Sequence, residues 1–246
     1  MIPNENQFIC KLVAGSHLYN LNTSQSDIDK RGIYLTNSLP YLFGLENDDV
    51  VQSKDSNNDD YSYFEASRFI QLLKKTNTNS LEVLFAPKES FLLLTKDFEL
   101  IRKHRMQLVD SQRLLYSSLR GYVNSEIKLA LGERTGKLGG KRKEALDKFQ
   151  YSYKNVSNLI RLVYQMRKFL ETGEYPLQLE GAIRDQCLKI KTQPEKYSLD
   201  DIKKIVEEVR LDAESIEDKI HLVFDAQLAS CLMWEIYSKK FSKLSS

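Results

Sequence analysis

A Gly-Ser dipeptide separates two short apolar runs, and the second run opens on a pair of aspartates. Phe8 to Ala14 is apolar, Gly15-Ser16 follows, ten polar-rich residues intervene, and Asp27-Ile28-Asp29 leads into Ile33-Tyr34-Leu35. A chain written this way runs as a strand, breaks at a glycine turn, and re-enters as a second strand over residues 27–36. Side chains two apart on a strand point to the same side. Asp27 and Asp29 are therefore expected side by side, about 6 to 7 Å apart at their Cα atoms. Two anions that close repel unless a cation lies between them. Oxygen-only donors suit Mg2+ or Mn2+, held by one or two carboxylates and completed by substrate phosphates.

The second strand has a phase conflict, because Asp27, Asp29 and Arg31 share a parity with Ile33 and Leu35. Gly32 is the expected place for a bulge that re-phases it, leaving Arg31 near the carboxylates to meet a phosphate. Residues 46–59 are polar and read as a flexible loop. Asp60-Tyr61-Ser62-Tyr63-Phe64 reads as a third strand headed by an acid. Ala66, Phe69, Ile70 and Leu73 then fall at helical spacing. Asn77 to Ser80 breaks that helix and caps the next, which Pro87 stops.

Beyond about residue 95 the strand signals vanish, and segments 96–109, 111–131, 143–171, 180–190 and 199–242 carry helical periodicity. The expected organisation is an α/β domain with a short mixed sheet over 1–95, followed by an all-helical domain over 96–246. Arg134 to Lys143 is a Gly-rich basic connection that does not match a P-loop. On the helix from about 151, Leu159, Leu162, Val163, Met166, Phe169 and Leu170 make the buried stripe, and Lys154, Asn158, Arg161, Gln165 and Lys168 a polar one. Lys154 and Arg161 are two turns apart, roughly 10 Å at 1.5 Å per residue, a span that suits a triphosphate. Trp234 reads as core, and Lys239, Lys240 and Lys243 as a solvated helix end. His17 reads as a turn residue, and His104 and His221 as structural or exposed.

Composition narrows the class. Apolar content of 41% and charged content of 28% describe an ordinary soluble chain. The apolar runs are too short to span a membrane, and the first residues lack the pattern of a signal peptide. Cys10, Cys187 and Cys231 fit no zinc or redox spacing and read as buried free thiols of a cytoplasmic protein. Net charge is +2, yet Arg102 to Glu171 holds 16 basic and 6 acidic residues, a local excess of +10. Such a block suits a polyanion partner.

Four readings compete for the Asp-x-Asp pair. An EF-hand loop from Asp27 would need its bidentate acid where Ser38 stands, so it fails. A metal-dependent glycosyltransferase uses Asp-x-Asp but has no call for the Gly-Ser dipeptide. A bland surface strand leaves the Gly-Ser spacing unexplained. A polymerase-beta-like nucleotidyltransferase uses both: the turn offers N–H groups and a hydroxyl to a triphosphate, and the carboxylates hold metal.

The run Gly15-Ser16-x-x-Tyr19-x-Leu21-x-Thr23-x-x-Ser26-Asp27-x-Asp29-x-Arg31-Gly32 resembles the opening motif of the RNA-ligase-associated polymerase-beta-like (RlaP/YcgL) predicted nucleotidyltransferases. The resemblance continues at Glu65-x-x-Arg68-Phe69, at Asn79-Ser80-Leu81-Glu82-Val83-Leu84-Phe85-x-Pro87, and over Lys154 to Gly173, covering roughly residues 10–190. This chain departs from the family, which often carries Asn-Pro where Asn79-Ser80 stands and commonly His where Asn158 stands. Asn158 is therefore given only a hydrogen-bonding role.

The resemblance implies transfer of an NMP from an NTP with Mg2+ or Mn2+, and, through the association with ligases, an RNA end in preference to DNA. Asp27 and Asp29 would hold the metals. A third carboxylate belongs on a neighbouring strand, and Asp60 is the choice, with Asp59 or Glu65 behind it; Glu65 fits better as a helix cap. Gly15, Ser16, Arg31, Lys154 and Arg161 would contact phosphates. Two alternatives stand: AMP transfer to a protein or small-molecule hydroxyl by the same fold, and a non-catalytic module binding nucleotide or nucleic acid.

Overall fold

In a computed structural model, residues 3–24, 26–46, 50–54, 60–133 and 140–242 are described, with side chains left aside at 50–54 and 141. Contacts group the chain into two compact units, Met1–Asp110 with Leu222–Ser246, and Ser111–His221. The last strand ends at Leu94, close to where strand signals fade in the sequence, but the grouping follows packing: two later helices complete the first unit.

The first unit is built on a five-stranded mixed sheet, β1 (Phe8–Ala14), β2 (Asp29–Tyr34), β3 (Val50–Lys54), β4 (Asp60–Glu65) and β5 (Phe91–Leu94), in the order β3-β4-β2-β1-β5. Only β2 and β4 run parallel; the other pairs are antiparallel. Between β1 and β2 lies a four-residue helix, α1 (Gly15–Leu18), and a second short one, α2 (Leu39–Leu42), follows β2. Then come α3 (Ala66–Lys74), α4 (Thr78–Phe85) and α5 (Lys96–Lys103), joined at the end of the chain by α12 (Ala226–Ser242).

Capping follows the sequence. Glu65 caps α3, accepting from the Ser67 amide at 2.8 Å and the Arg68 amide at 3.3 Å, and Asn77 caps α4. These satisfy amides that a helix N-terminus leaves without intrahelical partners. Glu65 is also the acceptor for the Tyr237 hydroxyl of α12, and Lys240 donates to the Leu35 carbonyl at 2.8 Å. Two expectations for this helix are thereby corrected. Lys240 ties α12 to the end of β2 rather than facing solvent, and Trp234 is 76% exposed because Leu232, Ile236 and Tyr237 occupy the buried side. Lys243 lies outside the described residues.

The expected bulge at Gly32 is absent. β2 stays in register with β4 from Asp29 to Tyr34, and the irregularity falls between Phe8 and Cys10 of β1. No re-phasing is needed because Ile33 and Tyr34 are both buried, on opposite faces. Gly32 serves the far face instead: a Cβ there would press on the Cys10 carbonyl at 3.0 Å, Tyr63 at 3.1 Å and Phe8 at 3.2 Å. Phe8, Tyr34, Tyr61 and Tyr63 close over it as an aromatic cluster.

The strand β3 falls within the stretch read as a loop, paired to β4 from Val50↔Phe64 to Lys54↔Asp60. The Cys231 thiol is exposed, while Cys10 and Cys187 are buried; all three are free.

The second unit is helical: α6 (Ser111–Arg113), a π-helical turn (Leu114–Leu119), α7 (Arg120–Ala130), α8 (Gly140–Phe149), α9 (Tyr153–Thr172), α10 (Gly181–Thr192) and α11 (Leu199–Glu214). The segment 199–242, read as carrying helical periodicity, forms two helices, α11 and α12, with a break between them. The basic connection at 134–139 lies outside the described residues. α9 is the centre of the unit, packed against α7, α10 and α11. Among the described residues, no helix is long and apolar enough to cross a membrane.

Candidate active site

Sheet register builds the site. β2 is flanked by β1 and β4, and Asp29, its first residue, pairs with Ala14 at the end of β1 and with Asp60 at the start of β4. Residues in register on neighbouring strands point to the same face, with strands about 4.8 Å apart. Asp29 and Asp60 are therefore adjacent carboxylates at the sheet edge where one strand ends and two begin. Asp27 precedes the strand rather than sharing it, beyond a turn in which Thr23 and Ser26 exchange hydrogen bonds of 3.0 and 2.9 Å.

The Ala14↔Asp29 pairing also explains the glycine. Gly15 has φ +61°, in the left-handed region, and a Cβ there would overlap the Asp29 carboxylate. Only a residue without a side chain lets the turn and the acid share this space. Ser16 and His17 follow in α1, both partly buried.

Burial pushes the Asp29 pKa above its ordinary value; Arg31 and His17 oppose this, and Asp60 and Asp27 add to it. Asp29 thus feels both other candidate carboxylates. The donor chemistry fits a hard divalent cation: three carboxylates, coupled by like charge, beside a turn that admits close approach. Among the described residues, no group of three or more His, Cys, Asp or Glu side chains is placed to hold a metal ion as they stand.

Arg31 follows Asp29 on the same face, as expected, but its guanidinium is held by Glu82 of α4 and donates to the Asn79 side chain at 2.9 Å. Burial alone lowers the Arg31 pKa, and Glu82 and Tyr19 more than offset it. Glu82 is 2% exposed and also accepts from the Tyr19 hydroxyl. One buried carboxylate thus binds the residue after α1 and the residue two beyond Asp29. Glu82 is the residue sequence reasoning missed; its signal was a lone acid inside Leu81-Glu82-Val83-Leu84.

Of the other expected site residues, Glu65 is a buried cap and Asp59 lies outside the described residues. Lys154 and Arg161 belong to the second unit. Lys154 is exposed on α9, but the polar stripe it begins is not a surface stripe. Arg161 is 5% exposed, donating to Gln165 at 2.7 Å and to Asn158. Asn158 and Asn155 donate to Glu126 at 3.2 and 3.0 Å, and Gln165 donates to the Pro176 carbonyl at 2.9 Å. Helices enclose α9 on several sides, so its polar stripe became an internal network.

No curated protein matches the chain. A solved structure, of a nucleotidyltransferase-like protein from Exiguobacterium sibiricum 255-15, is similar at 10% identity and a TM-score of 0.30, covering 86% of this chain and 69% of that one. The model of RlaP, the RNA repair pathway DNA polymerase beta family, matches residues 4–235. That match takes in the Gly-Ser turn, the sheet-edge aspartates and the helices beyond, and the chain, an α/β polymerase-beta-like nucleotidyltransferase fold with a helical C-terminal portion, belongs to the RlaP family.

Proposed function

We propose that the protein transfers an NMP from an NTP to the end of a nucleic acid, RNA in preference to DNA, using Asp27, Asp29 and Asp60 as its metal-holding acids. The observation that carries this reading is the in-register pairing of Asp29 with Asp60 over the Gly15 turn. Mg2+ or Mn2+ held by these carboxylates would neutralise triphosphate charge and make the acceptor hydroxyl more acidic.

The chain's own residues supply the rest. Gly15 lets the backbone come close to a phosphate, and Ser16 offers a hydroxyl donor. Asp60, exposed at the start of β4, takes the acceptor's proton. Arg31 stabilises charge near Asp29 while anchored to Glu82, which fixes β2 against α4. Lys154 and Arg161 are proposed phosphate contacts; Arg161 reaches one only by exchanging a partner it now holds. We place the enzyme in the cytoplasm, a reducing compartment in which its three free cysteines would stay unpaired.

The test is incubation with each labelled NTP, Mg2+ or Mn2+, and RNA, DNA or protein acceptors. Label entering RNA, dependent on metal and lost in Asp29→Asn, is the expected result. Label entering only protein would replace the acceptor with a protein hydroxyl, and turnover persisting in Asp29→Asn would remove the site.

A further inference from the structure

The helical run from Ser111 to Ala130 presents one face whose chemistry the nucleotidyl-transfer site does not use. Its buried side consists of Leu114, Leu115, Leu119, Val123, Leu129 and Ala130. Its outer side carries Arg113, Tyr116, Arg120, Asn124 and Lys128, all exposed. Arg120, Asn124 and Lys128 are four apart on α7 and share one stripe, and Tyr116 joins it through the Arg120 guanidinium against its ring. From Arg120 to Lys128 the stripe is about 12 Å long at 1.5 Å per residue.

Three features distinguish this stripe from an ordinary solvated face. First, it has no exposed carboxylate: the one acid between residues 111 and 132 is Glu126, 4% exposed and accepting from Asn155 and Asn158. Second, Tyr116 is 58% exposed, and the Arg120 guanidinium lies 4.8 Å from its ring centroid. Third, Tyr116 stands in a π-helical turn, Leu114–Leu119, a rare geometry that recurs at functional sites.

We infer that this face binds a single-stranded nucleic acid, with a base stacked on Tyr116 and phosphates on Arg113, Arg120 and Lys128. The inference rests on the proposed nucleic-acid acceptor and names the surface that would hold it. An exposed aromatic ring with a guanidinium against it offers a stacking platform for unpaired bases, and flanking cations track the backbone. A duplex, whose bases are already stacked, gains nothing from Tyr116.

Fluorescence anisotropy with a labelled single-stranded RNA, its DNA counterpart and a duplex, across a salt series and without NTP, tests the face. Tyr116→Ala is expected to weaken single-strand binding on the order of tenfold with the salt slope unchanged. Arg120→Gln with Lys128→Gln should lower the slope of log affinity against log salt by about 1.4, at about 0.7 per phosphate contact on a single strand. Lys189→Gln with Lys204→Gln removes equal charge from exposed positions of α10 and α11 and should change binding little. Equal effects from the two pairs would reduce the result to net charge and overturn the inference, as would unchanged binding in Tyr116→Ala or a preference for duplex. Loss of binding in the stripe variants without any nucleotide transfer by wild type would leave the surface standing and remove the transferase reading. Transfer to RNA with binding unaltered in those variants would do the reverse.

Discussion

At the centre of the helical unit, Arg161, Asn158, Asn155, Gln165 and Glu126 face one another, and donors meet acceptors within the cluster. At the edge of the sheet, Asp29 and Asp60 stand side by side with Asp27 close enough to be felt, and burial and like charge both raise the Asp29 pKa. The first arrangement balances its polar groups internally, as a buried network must if it is not to cost stability. The second gathers like charge where a folding chain would gain by separating it. Strain of that kind persists at sites selected for something other than stability. Glu82 stands between the two types: it is internal and paired, yet its partners Tyr19 and Arg31 are the residues that position the turn and β2.

Substitutions can break or sharpen this contrast. The largest stability loss is expected from Glu82→Ala, which takes the carboxylate from the partly buried Arg31 guanidinium and leaves it the Asn79 side chain; unfolding by denaturant should show a loss of about 3 kcal/mol. Glu82→Gln, still an acceptor, should lose less and recover part of the turnover. Arg161→Met should cost about 1–3 kcal/mol by leaving the Gln165 and Asn158 carbonyl oxygens without a donor, again read from the denaturation midpoint. Gly15→Ala must move the Asp29 carboxylate and adopt a left-handed φ, at a cost of about 1–3 kcal/mol; its turnover should fall much further than its stability.

The smallest effect has the opposite sign. Asp29 is held above its ordinary value of 3.8, so the folded state binds its proton more tightly than the unfolded chain does. Wild-type stability therefore falls as pH rises from the ordinary carboxylate range through the raised pKa. Asp29→Asn should gain a little stability near neutral pH without metal, and the gain should fade as pH is lowered through that range. Thermal melts from pH 4 to 8 would show it. A stability loss in Asp29→Asn at neutral pH would place Asp29 with the balanced clusters.

Much of the sheet edge was legible because local signals coincide there: a glycine turn, a strand led by acids, and an acid heading Tyr61-Ser62-Tyr63. The Glu65 cap was legible for the same reason, whereas the stretch Asn77–Ser80, read as a break before a helix starting at Leu81, holds the cap at Asn77 and the first turn from Thr78. What escaped depends on distant partners. Val50–Lys54 lies among polar residues and becomes a strand by pairing with β4. Gly32 looks like a bulge until the rings of Phe8 and Tyr63 are brought over it. Arg161 sits on a stripe that reads as surface if α9 has one buried side, whereas three helices pack around it. Trp234 reads as core by hydrophobicity, yet α12 turns Leu232 and Ile236 inward instead.

Calorimetric titration of each NTP with Mg2+ into wild type, Asp29→Asn and Asp60→Asn addresses the acidic sheet edge most directly. The account predicts saturable, Mg2+-dependent binding of at least one NTP by wild type, weakened on the order of tenfold or more in both variants. Binding that needs no metal, or that is equally tight in all three proteins, would contradict it.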